Sequence, residues 1–328
     1  MVVNSRKILP VIMMLGVGLS ACSTMAPTAP VTPQSSARVE TAQTMTDVKL
    51  AADDLAAKHG PQNILVVFDV DDTLLALSGD VGGVAWWDWQ DDLPDGAPEK
   101  LSFNKRLAVA SAMFALTDME LAEDEATINI FKHLIAQGTP VYALTARGPD
   151  NRDATMRELH DQGLDFTTAP ECGPPLCVKR GLLGGDELIA PLARERFGFD
   201  AGAKTKDLGA GPIKLSSRRD ASVADGVMMV SGQNKGIMLR LLVDSLPRGD
   251  RPRAIIFVDD SAQNVANLKA ASPAFTEDLR IFHYTARTAD QSDFVHNTAR
   301  KNQTARDLDA ITRTVCTTLK NQAQICER

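Results

Sequence analysis

Apolar residues along the chain gather into short unbroken runs, at Ile64–Phe68, Val141–Leu144, Val227–Val230, Ile255–Val258 and Ile281–Tyr284. Runs of this length between polar or turn residues predict strands buried on both faces, as in a parallel sheet. Between them lie stretches with apolar residues at helical spacing: Lys105–Leu116, Glu125–Ala136, Asp153–His160, Gly236–Val243 and Ala262–Ala271. Strands alternating with helices predict an α/β fold, a Rossmann-like parallel sheet with helices on both faces. No internal repeat interrupts the pattern.

The residues just past each run carry the chemistry. The first run leads into Asp69-Val70-Asp71-Asp72-Thr73, placing alternating carboxylates beyond a buried strand, where a parallel sheet presents functional groups. Asp69 and Asp71 would face the same side of an extended chain, so they must repel, share a proton or hold a cation. An acidic turn capping a helix is the competing reading of this segment alone. The second run ends at Thr145, ahead of Ala146-Arg147-Gly148. The third leads to Ser231-Gly232-Gln233-Asn234-Lys235-Gly236, where Lys235 at a helix start would form an anion site with backbone N–H groups. The fourth ends in Asp259-Asp260, with Ser261 and Asn264 beyond. One sheet edge could gather all of these groups.

In this order the segments resemble the four motifs of the haloacid dehalogenase (HAD) superfamily of phosphatases and phosphotransferases, over roughly Asn63 to Tyr284. Receiver domains place their acidic pair first, and P-type ATPases have Thr where this chain has Asp71. Within the superfamily, Phe68 to Leu74, Trp86-Trp87-Asp88-Trp89-Gln90 and Asn234-Lys235-Gly236 are most similar to a bacterial envelope group known as domain of unknown function 2608. Secreted and lipoprotein acid phosphatases of the HAD type are the nearer functional neighbours.

The resemblance implies an Mg²⁺-dependent hydrolase of a small phosphate monoester. Asp69 would form an aspartyl-phosphate, while Asp71 would protonate the leaving oxygen and then deprotonate water. Mg²⁺ would be held by the Asp69 carboxylate, the Asp71 carbonyl and Asp259. Thr145 and Lys235 would bind phosphoryl oxygens, Asp260 would orient Lys235 or a metal-bound water, and Asn264 would support from behind. Thr73 would close the turn after the nucleophile. Two other expectations stand beside this one: an envelope lipoprotein that binds a ligand or partner without turnover, and a phosphotransferase.

The N-terminus says where such a protein would work. Arg6 and Lys7 precede the apolar stretch Ile8–Leu19, which is followed by Leu19-Ser20-Ala21-Cys22. The stretch is short for a bilayer span and has the charged front of a secretory signal. The tetrapeptide resembles a lipobox, which implies a lipid anchor on Cys22; Ser23 then resembles the sorting pattern for the periplasmic face of the outer membrane. The chain divides into a signal at 1–21, a Pro- and Thr-rich tether at 22–46, a core at 47–284 and a helical tail at 285–328 without catalytic content. Cap insertions are expected at about 76–138 and 163–226, since long inserts at the active edge of a sheet commonly form lids.

Five cysteines less Cys22 leave two close pairs, Cys172 with Cys177 and Cys316 with Cys326. An oxidising compartment favours disulfides in both, and no His near either pair supports zinc. A net charge of −7 gives no footprint for a nucleic acid polymer and leaves a small phosphorylated substrate as the expected partner. All three tryptophans, Trp86, Trp87 and Trp89, fall in the first insert; they form either the core of a small cap or a stacking surface for a substrate ring.

Overall fold

The computed structural model describes residues 37–177, 182–197, 205–207, 212–214, 219–320 and 323–326. The first half runs β1 (Arg38–Ala42), α1 (Met45–His59), β2 (Ile64–Phe68), β3 (Leu75–Leu77), α2 (Val84–Asp92), α3 (Phe103–Leu116), β4 (Met119–Leu121), α4 (Asp124–Ala136), β5 (Val141–Thr145) and α5 (Arg152–Asp161). Then come β6 (Leu182–Leu183), α6 (Ala190–Phe197), β7 (Thr205–Asp207), β8 (Pro212–Lys214), β9 (Ala221–Ala224), β10 (Val227–Met229) and α7 (Lys235–Asp244). The chain closes with β11 (Ala254–Asp259), α8 (Ala262–Ala271), β12 (Asp278–Tyr284), α9 (Thr288–His296) and α10 (Thr298–Thr318).

Among the described residues, eight strands make one sheet in the order β1-β12-β11-β2-β5-β10-β9-β6. Every pair from β1 to β10 is parallel, with Val66 opposite Val141 and Phe257 opposite Val67. The chain winds outward from β2 to β5 and β10, then returns to the other side for β11 and β12, the doubly wound Rossmann-like order. Its winding therefore reverses between β2 and β11. Apolar side chains alternate between the faces: Leu65, Val67, Ile255 and Phe257 meet α6, α7 and α8, whereas Ile64, Val66, Phe68 and Ile256 meet α1, α4 and α5. Burial on both faces is why these strands are unbroken apolar runs.

Several boundaries differ from expectation. The stretch 37–46 is not tether: β1 adds a parallel edge strand to β12, and the turn at Thr44 starts α1. The first insertion closes earlier, because β3 and β4 pair as an antiparallel ribbon and α4 packs on the sheet as a crossover helix. The second insertion does not stand apart from the sheet. Its strands β6 and β9 extend the edge antiparallel, and β9 returns to β10 through Asp225 and Gly226, both at positive φ, in a two-residue hairpin turn.

The C-terminal segment forms α9 and α10 and shares a third apolar cluster with the first insertion, built from Trp86, Val109, Phe294, Leu308 and Ile325. Both cysteine pairs, Cys172–Cys177 and Cys316–Cys326, are disulfides. No helix among the described residues is long and apolar enough to cross a membrane. The signal segment, Cys22 and most of the tether lie outside the described residues.

Candidate active site

Asp69 leaves the C-terminal end of β2 and Asp259 ends β11, so both sit where the winding reverses. The two strands stay paired up to that point, with the Asp69 N–H donating to Val258 O at 2.9 Å. Lys235 arrives from the first turn of α7, capped by the Asn234 side chain, which accepts from Ile237 N–H at 3.1 Å. Its ammonium stands 2.6 Å from Asp69 Oδ1 and 2.8 Å from Asp259 Oδ2. Gly236 lets α7 approach α8 closely: a Cβ there would stand 2.9 Å from Asn267 O and 3.0 Å from Leu268 Cα.

Asp259 is fully buried and held from three sides. Besides Lys235, Asn264 Nδ2 donates to its two oxygens at 3.0 and 3.2 Å, and Ser261 N–H donates at 2.9 Å. Thr73 ties the first motif to the last, since its hydroxyl accepts from Asp260 N–H at 3.1 Å. One oxygen each of Asp69, Asp259 and Asp260 lies within 4.8 Å of the others. Asp260 thus belongs to the carboxylate group itself; it does not orient Lys235, whose partners are Asp69 and Asp259.

The electrostatics are unbalanced. The Asp69 carboxyl is raised to about 8: burial pushes it up most, Lys235 pulls it down, and Asp259 and Asp71 push it up again. Asp260 is raised well above the ordinary carboxylate range, first by burial and then by Asp259 and Asp69. Lys235 is lowered by burial, but Asp259 and Asp69 more than offset this and hold it charged. Three carboxylates against one ammonium is a donor set that suits a hard divalent cation, which takes oxygen ligands and would keep the carboxylates ionised.

A second buried network lies beside the first. Arg147, two residues past Thr145, donates to Asp71 through both Nε (3.1 Å) and Nη2 (2.8 Å). Its Nη1 reaches Thr155 at 2.9 Å and Glu158 at 2.5 Å, and its guanidinium lies 3.8 Å from the Phe114 ring centre. Thr145 is buried at the end of β5, where its hydroxyl accepts from Arg147 N–H at 3.2 Å. Asp71 is therefore gripped by a guanidinium, and its carboxylate stands outside the group formed by Asp69, Asp259 and Asp260.

The family model described as "Protein of unknown function (DUF2608)" matches residues 41–321. The chain belongs to the DUF2608 family. None of the curated proteins compared with it matches.

In this DUF2608 protein the tryptophans are engaged in packing. Trp86 is buried with Phe294 and Ile325 between the first insertion and the C-terminal segment, which removes it from any substrate surface. Trp89 packs edge-on against Phe294. Trp87 does so against Phe103 and carries the Arg106 guanidinium 4.9 Å from its ring centre. They join α2 and α3 to the tail, because an insertion this small cannot bury three indoles by itself.

Residues outside all four sequence segments also reach the site, among them His283 of β12, whose Nε2 lies 3.0 Å from Asp260 O. Gln291, on α9, donates from Nε2 to Asp72 Oδ2 at 2.8 Å and to Asp260 Oδ2 at 2.9 Å. The tail, expected to carry no catalytic content, touches two of the site's carboxylates through these bonds. A lone Gln in a polar amphipathic stretch carries no signal in the sequence. Thr155 and Glu158 were equally unmarked, although their spacing from Asn151 along α5 puts them on one face. A separate cleft of about 1120 Å³, lined by Tyr142, His160, Phe166, Glu171 and Asp225 among others, opens at the opposite end of β5 and contains none of the motif residues.

Proposed function

We propose that this protein is a divalent-cation-dependent phosphohydrolase of the HAD type acting on a small phosphate monoester. The observation that carries the reading is the meeting of Asp69, Lys235 and Asp259 at the switch point of the sheet, from three segments spread across the chain. Asp69, Asp259 and Asp260 are the residues that would hold Mg²⁺. When bound, the cation supplies charge neutralisation for a phosphoryl group and keeps carboxylates ionised.

Asp69 in this reading attacks phosphorus and becomes an aspartyl-phosphate, which divides a slow hydrolysis into two easier displacements. Lys235 neutralises the phosphoryl charge as a point charge, with the first turn of α7 adding its N-terminal dipole. Thr145 contributes a hydroxyl at the same edge. Asp71 carries the proton, to the leaving oxygen and then from water, and must leave the Arg147 grip far enough to do so. That chemistry needs Asp69 ionised and Asp71 protonated, whereas without a cation the Asp69 carboxyl is raised to about 8, chiefly by burial; a bound divalent cation would favour its ionised form.

The grip on Asp71 favours one second reading, a protein that binds a phosphorylated ligand without turning it over. Phosphate release from a chromogenic ester by the detergent-solubilised full chain decides between them. Release should stop with EDTA, return with Mg²⁺, and fall on the order of 10⁴-fold or more in Asp69→Asn. Undiminished release in Asp69→Asn would remove the nucleophile. Tight ligand binding without any release would favour the second reading, and transfer to an added alcohol would make the enzyme a phosphotransferase. In this proposal Cys22 is lipidated and the enzyme faces the periplasm from a bacterial outer membrane, a setting that suits the two disulfides.

A further inference from the structure

We propose that the C-terminal helical segment is part of the cation site, with Gln291 as the positioning residue that holds Asp260 toward the cation through one N–H and Asp72 through the other. The inference rests on the cation reading of Asp69, Asp259 and Asp260. Its own support is the geometry at a single amide nitrogen: two bonds of 2.8 and 2.9 Å to two carboxylates that face each other across the ends of β2 and β11.

The choice of residue type matters. A primary amide has two N–H groups on one nitrogen, and both are used here, one for each carboxylate. The amide is neutral, so it aims the carboxylates without cancelling charge that a cation needs. Lys or Arg at the same place would satisfy the same oxygens and compete with the cation. An apolar residue would leave the pair repelling and free to turn away. Asp72 needs such a partner, because it sits at φ 53° in the turn after β2, where its N–H donates to Leu75 O at 2.7 Å.

Gln291 is itself held in place from outside the site. Three residues on, Phe294 is buried against Trp89 and Trp86. Arg300 grips Asp80 of the first insertion with bonds of 2.6 to 3.1 Å, and Thr304 donates to the same carboxylate at 3.1 Å. Ile325, beside the Cys316–Cys326 disulfide, completes the shared apolar cluster. Insert, tail and carboxylates therefore form one mechanical unit. Outer partners that orient metal ligands typically govern affinity by about 10–100-fold.

Titration of the purified full-length protein with Mg²⁺ by calorimetry, with melting of the metal-free form alongside, tests the inference. Gln291→Leu should weaken Mg²⁺ binding by about tenfold or more. Gln291→Lys should weaken it further while leaving the metal-free melting temperature equal to or above wild type, a pairing of opposite signs that a merely structural residue would not produce. Mg²⁺ affinity within twofold of wild type in both variants, with binding lost in Asp259→Asn, would overturn the role of Gln291 and leave the cation site standing. Affinity retained in Asp259→Asn as well would sink the cation site and this inference together.

Discussion

Two buried cations serve neighbouring networks at the ends of the central strands, and they are used differently. Arg147 is saturated: its guanidinium grips Asp71 twice, binds Glu158 and Thr155, and lies against Phe114. Lys235 is outnumbered, with Asp69 and Asp259 in contact and Asp260 close by. A planar fork with fixed donors suits a finished structural joint, whereas a compact ammonium leaves carboxylate oxygens available to something else. The first network is closed; the second is short of positive charge.

Removing each cation should separate the two networks most sharply. Arg147→Met strands the buried Glu158 and frees Asp71, and should cost about 3–5 kcal/mol of unfolding free energy in urea. Mg²⁺ should not restore it. Lys235→Met should cost a comparable amount in the metal-free protein, but here added Mg²⁺ should recover a substantial part, because a divalent cation can take over the ammonium's charge. Equal responses to Mg²⁺ in the two variants would erase the distinction between them.

The pH dependence should show a smaller difference. The folded pKa of Asp69 is raised above its unfolded value, chiefly by burial, so folding takes up a proton. Its contribution to stability is present below pH about 4 and is lost as pH rises toward about 8. Thermal melts of the metal-free protein should fall over this window. Saturating Mg²⁺ or the substitution Asp69→Asn should flatten the curve, and a persistent slope in Asp69→Asn would assign the titration elsewhere.

Asp71→Asn should have the mildest effect on folding, about 1 kcal/mol in urea, since the side chain is partly exposed and an amide oxygen still accepts from Arg147. Its signature should be kinetic: phosphoenzyme that forms and decays slowly, with Mg²⁺ affinity nearly unchanged. Loss of Mg²⁺ binding equal to that of Asp69→Asn would make Asp71 a ligand and blur the two networks.

The central strands were legible because burial on both faces leaves an unbroken apolar run; Ile64–Phe68 was bounded to the residue. Helix Ala262–Ala271 was equally clear. The elements missed are those whose stability comes from partners. The edge strand β1 has an exposed Val39 and is held by backbone pairing to β12, which no side-chain pattern announces. Helix α1 buries Met45, Val48, Ala51, Ala52 and Leu55 at helical spacing, but two of those five are Ala, too small to make a strong signal.

At the site, residues that end apolar runs were readable, because a sheet edge must present whatever comes after its strands. Lys235, expected at the same edge as Asp69 and Asp259, contacts both directly. The hold of Arg147 on Asp71 and the reach of Gln291 across to Asp72 and Asp260 were not readable. Both depend on packing between segments 76 and 219 residues apart, and neither residue type is rare in its local setting.

Gly236 shows how the smallest residue can govern a buried ion pair. With no side chain at 236, the first turn of α7 rests almost directly on the backbone of α8, and that contact acts as a depth stop for the residue before it. Adding one methyl group would wedge the helices apart by several tenths of an ångström. At a separation of 2.6 Å, Coulomb attraction varies steeply with distance, so even this small retreat of Lys235 would loosen its hold on Asp69.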